Sequence, residues 1–458
     1  MIKYYPLFLA AVLAFFCFPV WAAALTANEI DSGAAVLIDA DTGQVLFQKN
    51  PHRVMNPAST TKIMTGLLIT ELCDIDDLAV VTNSALAIDE WNSANIALIE
   101  GEEMTVGDLL YGIMLPSAND ASNVLAEHAA GSLPDFAELM TQRATLIGAI
   151  DTRFQNAHGL TEDGHYTTAY DMAIITREAV KNPLFMRYFG APSHVIPPTN
   201  LQPHERFLGN FQYMLVPESK FYDPYVTGGK IGYTHAARHT MSTIKVMDGR
   251  ALIAVVLSAP DRDAKFYDTE KLFDFGMHEF IDFMIPKDEI GFETEIASAN
   301  GDAGPVVFSA DTDFKALLHK SVNPGSVEIT YSHEGPFKPG DDIESHAYFS
   351  ISPGNPAVPD LLGSMKLTAD YSVFIRSNDV FEQFNSMISR NAISSRWFLP
   401  LIVLLLAVLA ATILFIMVQI KKYLHMKHRN ERLKRLKRNR EAYRESLSAL
   451  YGDTKNPR

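Results

Sequence analysis

Ala58-Ser59-Thr60-Thr61-Lys62-Ile63-Met64-Thr65-Gly66-Leu67-Leu68-Ile69 is the stretch on which the reading of this chain turns. It sets a hydroxyl and an amine three residues apart at the head of an apolar run. On a helix, residues i and i+3 share a face about 5–6 Å apart, so the Lys62 amine can reach the Ser59 oxygen. Pro57 cannot continue a helix upstream and Ser59 suits a first turn, which predicts a loop-to-helix junction. A serine hydroxyl is a poor nucleophile until a neighbour takes its proton. A lysine does this when burial or a second cation lowers its pKa. Spacing alone does not decide the matter. Ser242 and Lys245 repeat it inside Met241-Ser242-Thr243-Ile244-Lys245-Val246, a β-prone run in which i and i+3 point to opposite faces.

Working outward, Ala34 to Asp39 and Gln44 to Gln48 flank a Gly-bearing turn and predict a hairpin. A short strand is expected near Leu78 to Val81. Helical periodicity then covers Thr105 to Leu115, Asp120 to Ala130, Pro134 to Ile147 and Ala169 to Val180. The β character returns at Tyr225 to Thr234, Met241 to Val246 and Ala251 to Ser258, with Asp248-Gly249 as a turn, and a helix is expected over Phe266 to Phe283. Sheet elements at both ends with helices between predict an α/β (α+β) catalytic unit over 25–285 in which the two ends share one antiparallel sheet. Short alternating runs punctuated by Gly and Pro predict a small all-β domain over 286–370, followed by a connector over 371–396.

The chain has 458 residues, 47% hydrophobic and 20% charged, enough for a large core and more than one domain. Residues 1–24 carry Lys3, an apolar run and Ala22-Ala23-Ala24, the layout of a secretory signal peptide. Cys17 falls in that leader, so the mature chain keeps only Cys73 and no internal disulfide can form. Trp397 to Ile420 is an uncharged run of helix-spanning length, and Lys421 to Arg458 is strongly basic. These features predict one C-terminal transmembrane helix, a cytoplasmic tail and an extracytoplasmic catalytic domain at the cell membrane. The tail is net +9, so the exported part is acidic beyond the chain's −15, which excludes nucleic acid as its partner.

Two further motifs follow Ser59. Leu115-Pro116-Ser117-Ala118-Asn119-Asp120 sets a second serine and an amide on a link between two helices. Gly228-Gly229-Lys230-Ile231-Gly232-Tyr233-Thr234 sets a lysine on a strand with a glycine two residues on. Together, behind a signal peptide, they resemble the serine D,D-peptidases of the penicillin-binding-protein family, more closely the low-molecular-mass D-alanyl-D-alanine carboxypeptidases. The resemblance covers roughly residues 30 to 285 and includes Asn156 to Leu160, His165-Tyr166 and Asp171-Met172-Ala173.

It implies a β-lactamase/transpeptidase-like catalytic domain acting on peptidoglycan stem peptides ending in D-Ala-D-Ala, with β-lactam antibiotics as acylating inhibitors. Ser59 would be the nucleophile, Lys62 its general base and Ser117 a proton relay. Asn119, Lys230, Gly232, Tyr233, Thr234 and Arg238 would bind substrate, with the N–H groups of Ser59 and Tyr233 as oxyanion donors. No cofactor or metal is implied, and His158 and His165 are read as structural hydrogen-bonding residues. One departure stands out: the family usually has Thr where this chain has Ile231, a side chain that donates no hydrogen bond to the substrate carboxylate. A β-lactamase would share the same serines and lysines, and a wall-binding scaffold is the reading that Ile231 alone suggests.

Overall fold

The structure, a computed structural model, describes residues 25–88, 93–297, 303–333, 345–352 and 358–370. The leader, connector, membrane span and basic tail expected from the sequence lie outside the described residues. Among the described residues no helix is long and apolar enough to cross a membrane.

Strands β1 (Ala34–Asp39) and β2 (Val45–Lys49) form the expected hairpin. Two short antiparallel pairs follow: β3 (Leu78–Val80) with β4 (Glu103–Thr105), and β5 (Ser193–Ile196) with β6 (Arg206–Gly209). The meander β7 (Val226–Thr234), β8 (Arg238–Met247) and β9 (Arg250–Ala259) then returns to the hairpin. β1 pairs antiparallel with β9, Val36 opposite Val255, giving a five-stranded sheet in the order β2-β1-β9-β8-β7. The two sequence ends of this unit therefore meet in one sheet, and β7 is one of its two edge strands, with β2 at the other edge. β1 and β9 are buried on both faces, which explains their continuous apolar runs.

Eight helices are described: α1 (Lys62–Leu72), α2 (Asn83–Leu86), α3 (Val106–Met114), α4 (Asn119–Ala130), α5 (Leu133–Leu146), α6 (Ala169–Val180), α7 (Pro183–Phe189) and α8 (Ala264–His278). From Lys62 to Ile69 every residue of α1 is buried, so this helix is enclosed on all sides instead of presenting one face to solvent. α4, α5, α6 and α7 all pack on it. One face of the sheet looks into this helical core, where Ile253, Val255 and Leu257 of β9 join Met64 and Leu67 of α1. On the other face Leu252, Ala254 and Val256 meet Phe266, Leu272 and Phe273 of α8.

The helix expected over Phe266 to Phe283 is shorter and starts earlier. It stops at His278, with Glu279 as its last helical-type residue, and Phe280–Ile285 is a strand, β10. The apolar content of Phe280, Ile281, Phe283, Met284 and Ile285 suits an extended chain as well as a helix, and pairing decides. β10 zips antiparallel onto β13 (Phe314–His319) with Phe283 opposite Ala316.

Beyond β10 the described elements are strands and single turns: β11 (Gly291–Ala297), β12 (Ala303–Ser309), β13, β14 (Glu328–His333), β15 (Ser345–Ser350) and β16 (Leu361–Asp370). The chain divides into two compact units. Of the described residues, the first takes those within 25–290, 310–332 and 346–367, and the second those within 291–309 and 368–370 with 333 and 345. In the first, the Gln44 amide bonds both the N–H and the carbonyl of Leu317, each at 2.7 Å, and Phe314 stacks on Phe349. In the second, β11 pairs with β12 and Phe292 stacks on Phe308.

Candidate active site

Ser59 lies on a single 3-10 turn, Ala58–Thr61, that runs directly into α1. A 3-10 turn eclipses residues i and i+3, so it aims Lys62 at Ser59 more directly than an α-helical turn does. Ala58 holds the left-handed conformation, with φ of 49°, a strained state for alanine that its surroundings must enforce. They do so through the Pro57 carbonyl, which accepts from Thr60 Oγ1 at 2.7 Å and from Thr240 Oγ1 of β8 at 3.0 Å.

Lys62 Nζ sits 3.2 Å from Ser59 Oγ, 2.7 Å from Asn119 Oδ1 and 2.7 Å from the His158 carbonyl oxygen. Lys62 is fully buried. Burial holds its pKa well below the usual lysine range, the nearby Lys230 ammonium pushes it further down, and Asp120 opposes them. Lys230, also buried, is lowered by burial to about 7; its ammonium donates to the Ile231 carbonyl at 3.1 Å. Asn119 opens α4, immediately after the link Leu115 to Ala118. Ser117 on that link has a φ of 68°, and its buried Oγ has no hydrogen-bond partner among the described residues. A buried, unpaired hydroxyl held in a strained conformation is a group awaiting a partner.

β7 closes the site from the other side. A Cβ on Gly232 would lie 2.6 Å from the Ser59 backbone nitrogen and 2.6 Å from Thr240 Oγ1, so glycine is required by the approach of the strand to the serine turn. The sequence reading gave this glycine a role toward substrate backbone; the atoms that demand it here are the protein's own.

A cleft of about 400 Å3 opens at this point, lined by Ser59, Ser117, Ile231, Gly232 and Tyr233, with Ala94, Pro116, Phe211, Tyr213, His239, Arg262, Lys265 and Phe266. Of the residues expected from the sequence, Ser59, Lys62 and Asn119 are joined by hydrogen bonds, and Ser117, Gly232 and Tyr233 line the cleft with Ser59. Thr234 and Arg238 are not in that lining. The Thr234 hydroxyl is engaged by Thr161 Oγ1 and the Ala237 N–H, each at 3.1 Å. Arg238 is exposed at the β7–β8 turn with a φ of 57°.

Three contributors are absent from the sequence reading. The His158 carbonyl is a backbone atom and carries no residue-type signal. Lys265 lies in the first turn of α8 and Arg262 in the turn just before it, both ahead of the helix that the sequence pattern places over Phe266 to Phe283 as a cover for the sheet. Lys265 is buried, donates to the Arg262 carbonyl at 2.7 Å, and is lowered to about 8 chiefly by burial. Arg262 bonds the Tyr213 hydroxyl and stands over its ring.

His165 Nδ1 accepts from the Gln155 N–H at 3.1 Å, so its Nε2–H faces Thr61 Oγ1 at 2.9 Å. His158 Nδ1 accepts from the Leu160 N–H at 3.1 Å. Burial and then Lys62 lower them to about 3 and about 4, His158 the lower, so both are neutral at pH 7. They brace the loop opposite Lys62.

A family model described as D-alanyl-D-alanine carboxypeptidase matches residues 22–261, more than half of the chain and all the site residues above except Arg262, Lys265 and Phe266. The chain belongs to this family. It is 36% identical over 256 residues to the D-alanyl-D-alanine carboxypeptidase DacF of Bacillus subtilis, covering 55% of this chain and 63% of that one. It is 30% identical over 306 residues to DacD of Salmonella typhimurium, covering 64% and 75%. The match therefore spans less than two thirds of the Bacillus relative. Among solved structures, penicillin binding protein 6B from Escherichia coli superposes with a TM-score of 0.54 at 25% identity, over 76% of this chain and 98% of that one.

Proposed function

We propose that this chain is a serine D,D-carboxypeptidase that removes the terminal D-alanine from peptidoglycan stem peptides ending in D-Ala-D-Ala, through an acyl-enzyme on Ser59. The observation that carries this reading is a fully buried lysine amine, its pKa held well below normal, 3.2 Å from a serine hydroxyl at the floor of the cleft. Lys62 takes the Ser59 proton as Oγ bonds to the carbonyl carbon. The oxyanion is stabilised by the N–H groups of Ser59 and Tyr233, typically worth about 3–4 kcal/mol per donor. The C–N bond then breaks, and Ser117 passes a proton to the departing amine. Water attacks the ester and restores Ser59.

The free edge of β7 receives the peptide as an added strand. Ile231 offers the substrate carboxylate no hydrogen bond, and Lys265 and Arg262, in the same cleft, supply positive charge in its place. The Ala22-Ala23-Ala24 leader end, the uncharged Trp397–Ile420 run and the basic tail support export and a membrane-anchored extracytoplasmic enzyme.

A labelled penicillin tests the reading on the full-length chain. A long-lived adduct on Ser59 is expected. Rapid turnover of the penicillin would make the protein a β-lactamase, and no adduct at all would make it a scaffold.

A further inference from the structure

Two carbonyl-type oxygens face the Lys62 amine, and their chemistry fixes more than its position. Neutral lysine has two N–H bonds and one lone pair. Asn119 Oδ1 and the His158 carbonyl, each at 2.7 Å, can only accept, so they take both N–H bonds. The remaining direction faces Ser59 Oγ at 3.2 Å, so the lone pair points at the hydroxyl it must deprotonate. The direction of the lone pair thus depends on where the His158 carbonyl is held.

We propose that Asn156 is a positioning residue that directs the Lys62 lone pair at Ser59 by holding the His158 carbonyl in place. Asn156 Oδ1 accepts from the Gly159 N–H at 2.7 Å, while its Nδ2 donates to the Leu160 carbonyl at 3.1 Å and to Glu162 Oε2 at 2.9 Å. One side chain therefore ties down three residues of the turn that carries the carbonyl. The turn has no slack: Gly159 has a φ of 89°, and a Cβ there would come within 1.9 Å of the Ala58 carbonyl oxygen. Asn156 is itself buried, and it neither lines the cleft nor bonds Ser59 or Lys62. The loop has an independent anchor, Thr65 Oγ1 donating to the Ala157 carbonyl at 2.7 Å, so loss of Asn156 loosens residues 158 to 162 without releasing the loop.

The arrangement has a pH signature that general loosening lacks. The charged groups around Lys62 are Lys230 and Asp120, and the two histidines nearby are neutral. A carbonyl acceptor stabilises an ammonium more than an amine, so weakening the His158 contact lowers the Lys62 pKa further.

This inference rests on the reading of Ser59 and Lys62 as an acylating pair. The test is the rate of acylation of the full-length chain by a fluorescent penicillin as a function of pH, with thermal melts run alongside. For Asn156→Ala the plateau rate falls roughly 10- to 100-fold and the acid limb moves to lower pH. Asn156→Thr, which keeps an oxygen acceptor for the Gly159 N–H, shows the same two changes at smaller size and stands in if the alanine variant fails to fold. A plateau equal to wild type, or a lower plateau with an unmoved limb, overturns the inference alone. A wild-type chain that penicillin never acylates overturns both the inference and the proposed function.

Discussion

The same Ser-x-x-Lys spacing occurs twice in this molecule with opposite outcomes. At Ser59 the chain makes a 3-10 turn into α1, and the amine lies 3.2 Å from the hydroxyl. At Ser242 it runs along β8; the Ser242 hydroxyl shares a 2.7 Å hydrogen bond with Thr176, and Lys245 forms a 2.7 Å ion pair with Asp223. One lysine hydrogen-bonds only neutral oxygens, with a second cation, Lys230, lowering its pKa against the weaker opposing pull of Asp120, while the other is paired directly with a carboxylate and lies over the rings of Tyr225 and Phe273. A spacing becomes chemistry through the backbone that carries it and through the charge of whatever faces the amine.

The largest effect expected from breaking this contrast is at the lysines themselves. Lys62→Met lowers penicillin acylation by about 100- to 10,000-fold, because the general base is gone. Lys245→Met leaves acylation at the wild-type rate but costs about 1–3 kcal/mol in denaturant unfolding, since Asp223 is left without its partner. Equal kinetic loss in the two variants would erase the distinction. Next comes Gly232→Ala, whose added methyl meets the Ser59 nitrogen and displaces the serine turn, lowering acylation by about 100-fold with KM for peptide changed less than kcat.

A smaller change is expected at Ile231. Restoring a hydroxyl with Ile231→Thr raises kcat/KM for a D-Ala-D-Ala peptide by about 10-fold, the worth of one bond to a carboxylate. An unchanged value would mean that Lys265 and Arg262 already saturate carboxylate recognition. The smallest effect is on stability. The Lys265 pKa is near 8 folded and 10.5 at its ordinary value, so the unfolded chain binds more protons between them. Wild type therefore gains stability relative to Lys265→Met as pH climbs through that window. Parallel melting curves against pH would contradict this.

Much of the fold was legible because its elements have unambiguous periods. The hairpin at Ala34, the helices from Val106 to Leu146 and the meander from Val226 stand within a few residues of their expected limits. Ser59, Lys62, Ser117 and Lys230 were legible as residue types in a distinctive order. What could not be read was of two kinds. The His158 carbonyl acts through the backbone, and any residue can supply a carbonyl. Lys265 lies 203 positions from Lys62 on a helix whose polar residues pass for solvent-facing ones, and only the folded α8 turns it into the cleft. At Phe280 the local pattern favoured a longer helix, and a partner strand more than thirty residues on, β13, decided otherwise.

The central claim is that Ser59, activated by Lys62, forms the acyl-enzyme. D-Alanine release from a pentapeptide ending in D-Ala-D-Ala, measured for the full-length wild type beside Ser59→Ala and Ser242→Ala, tests it most directly. The account predicts release by wild type and by Ser242→Ala at similar rates, and a loss of roughly a million-fold in Ser59→Ala. Release from Ser59→Ala at the wild-type rate would contradict it.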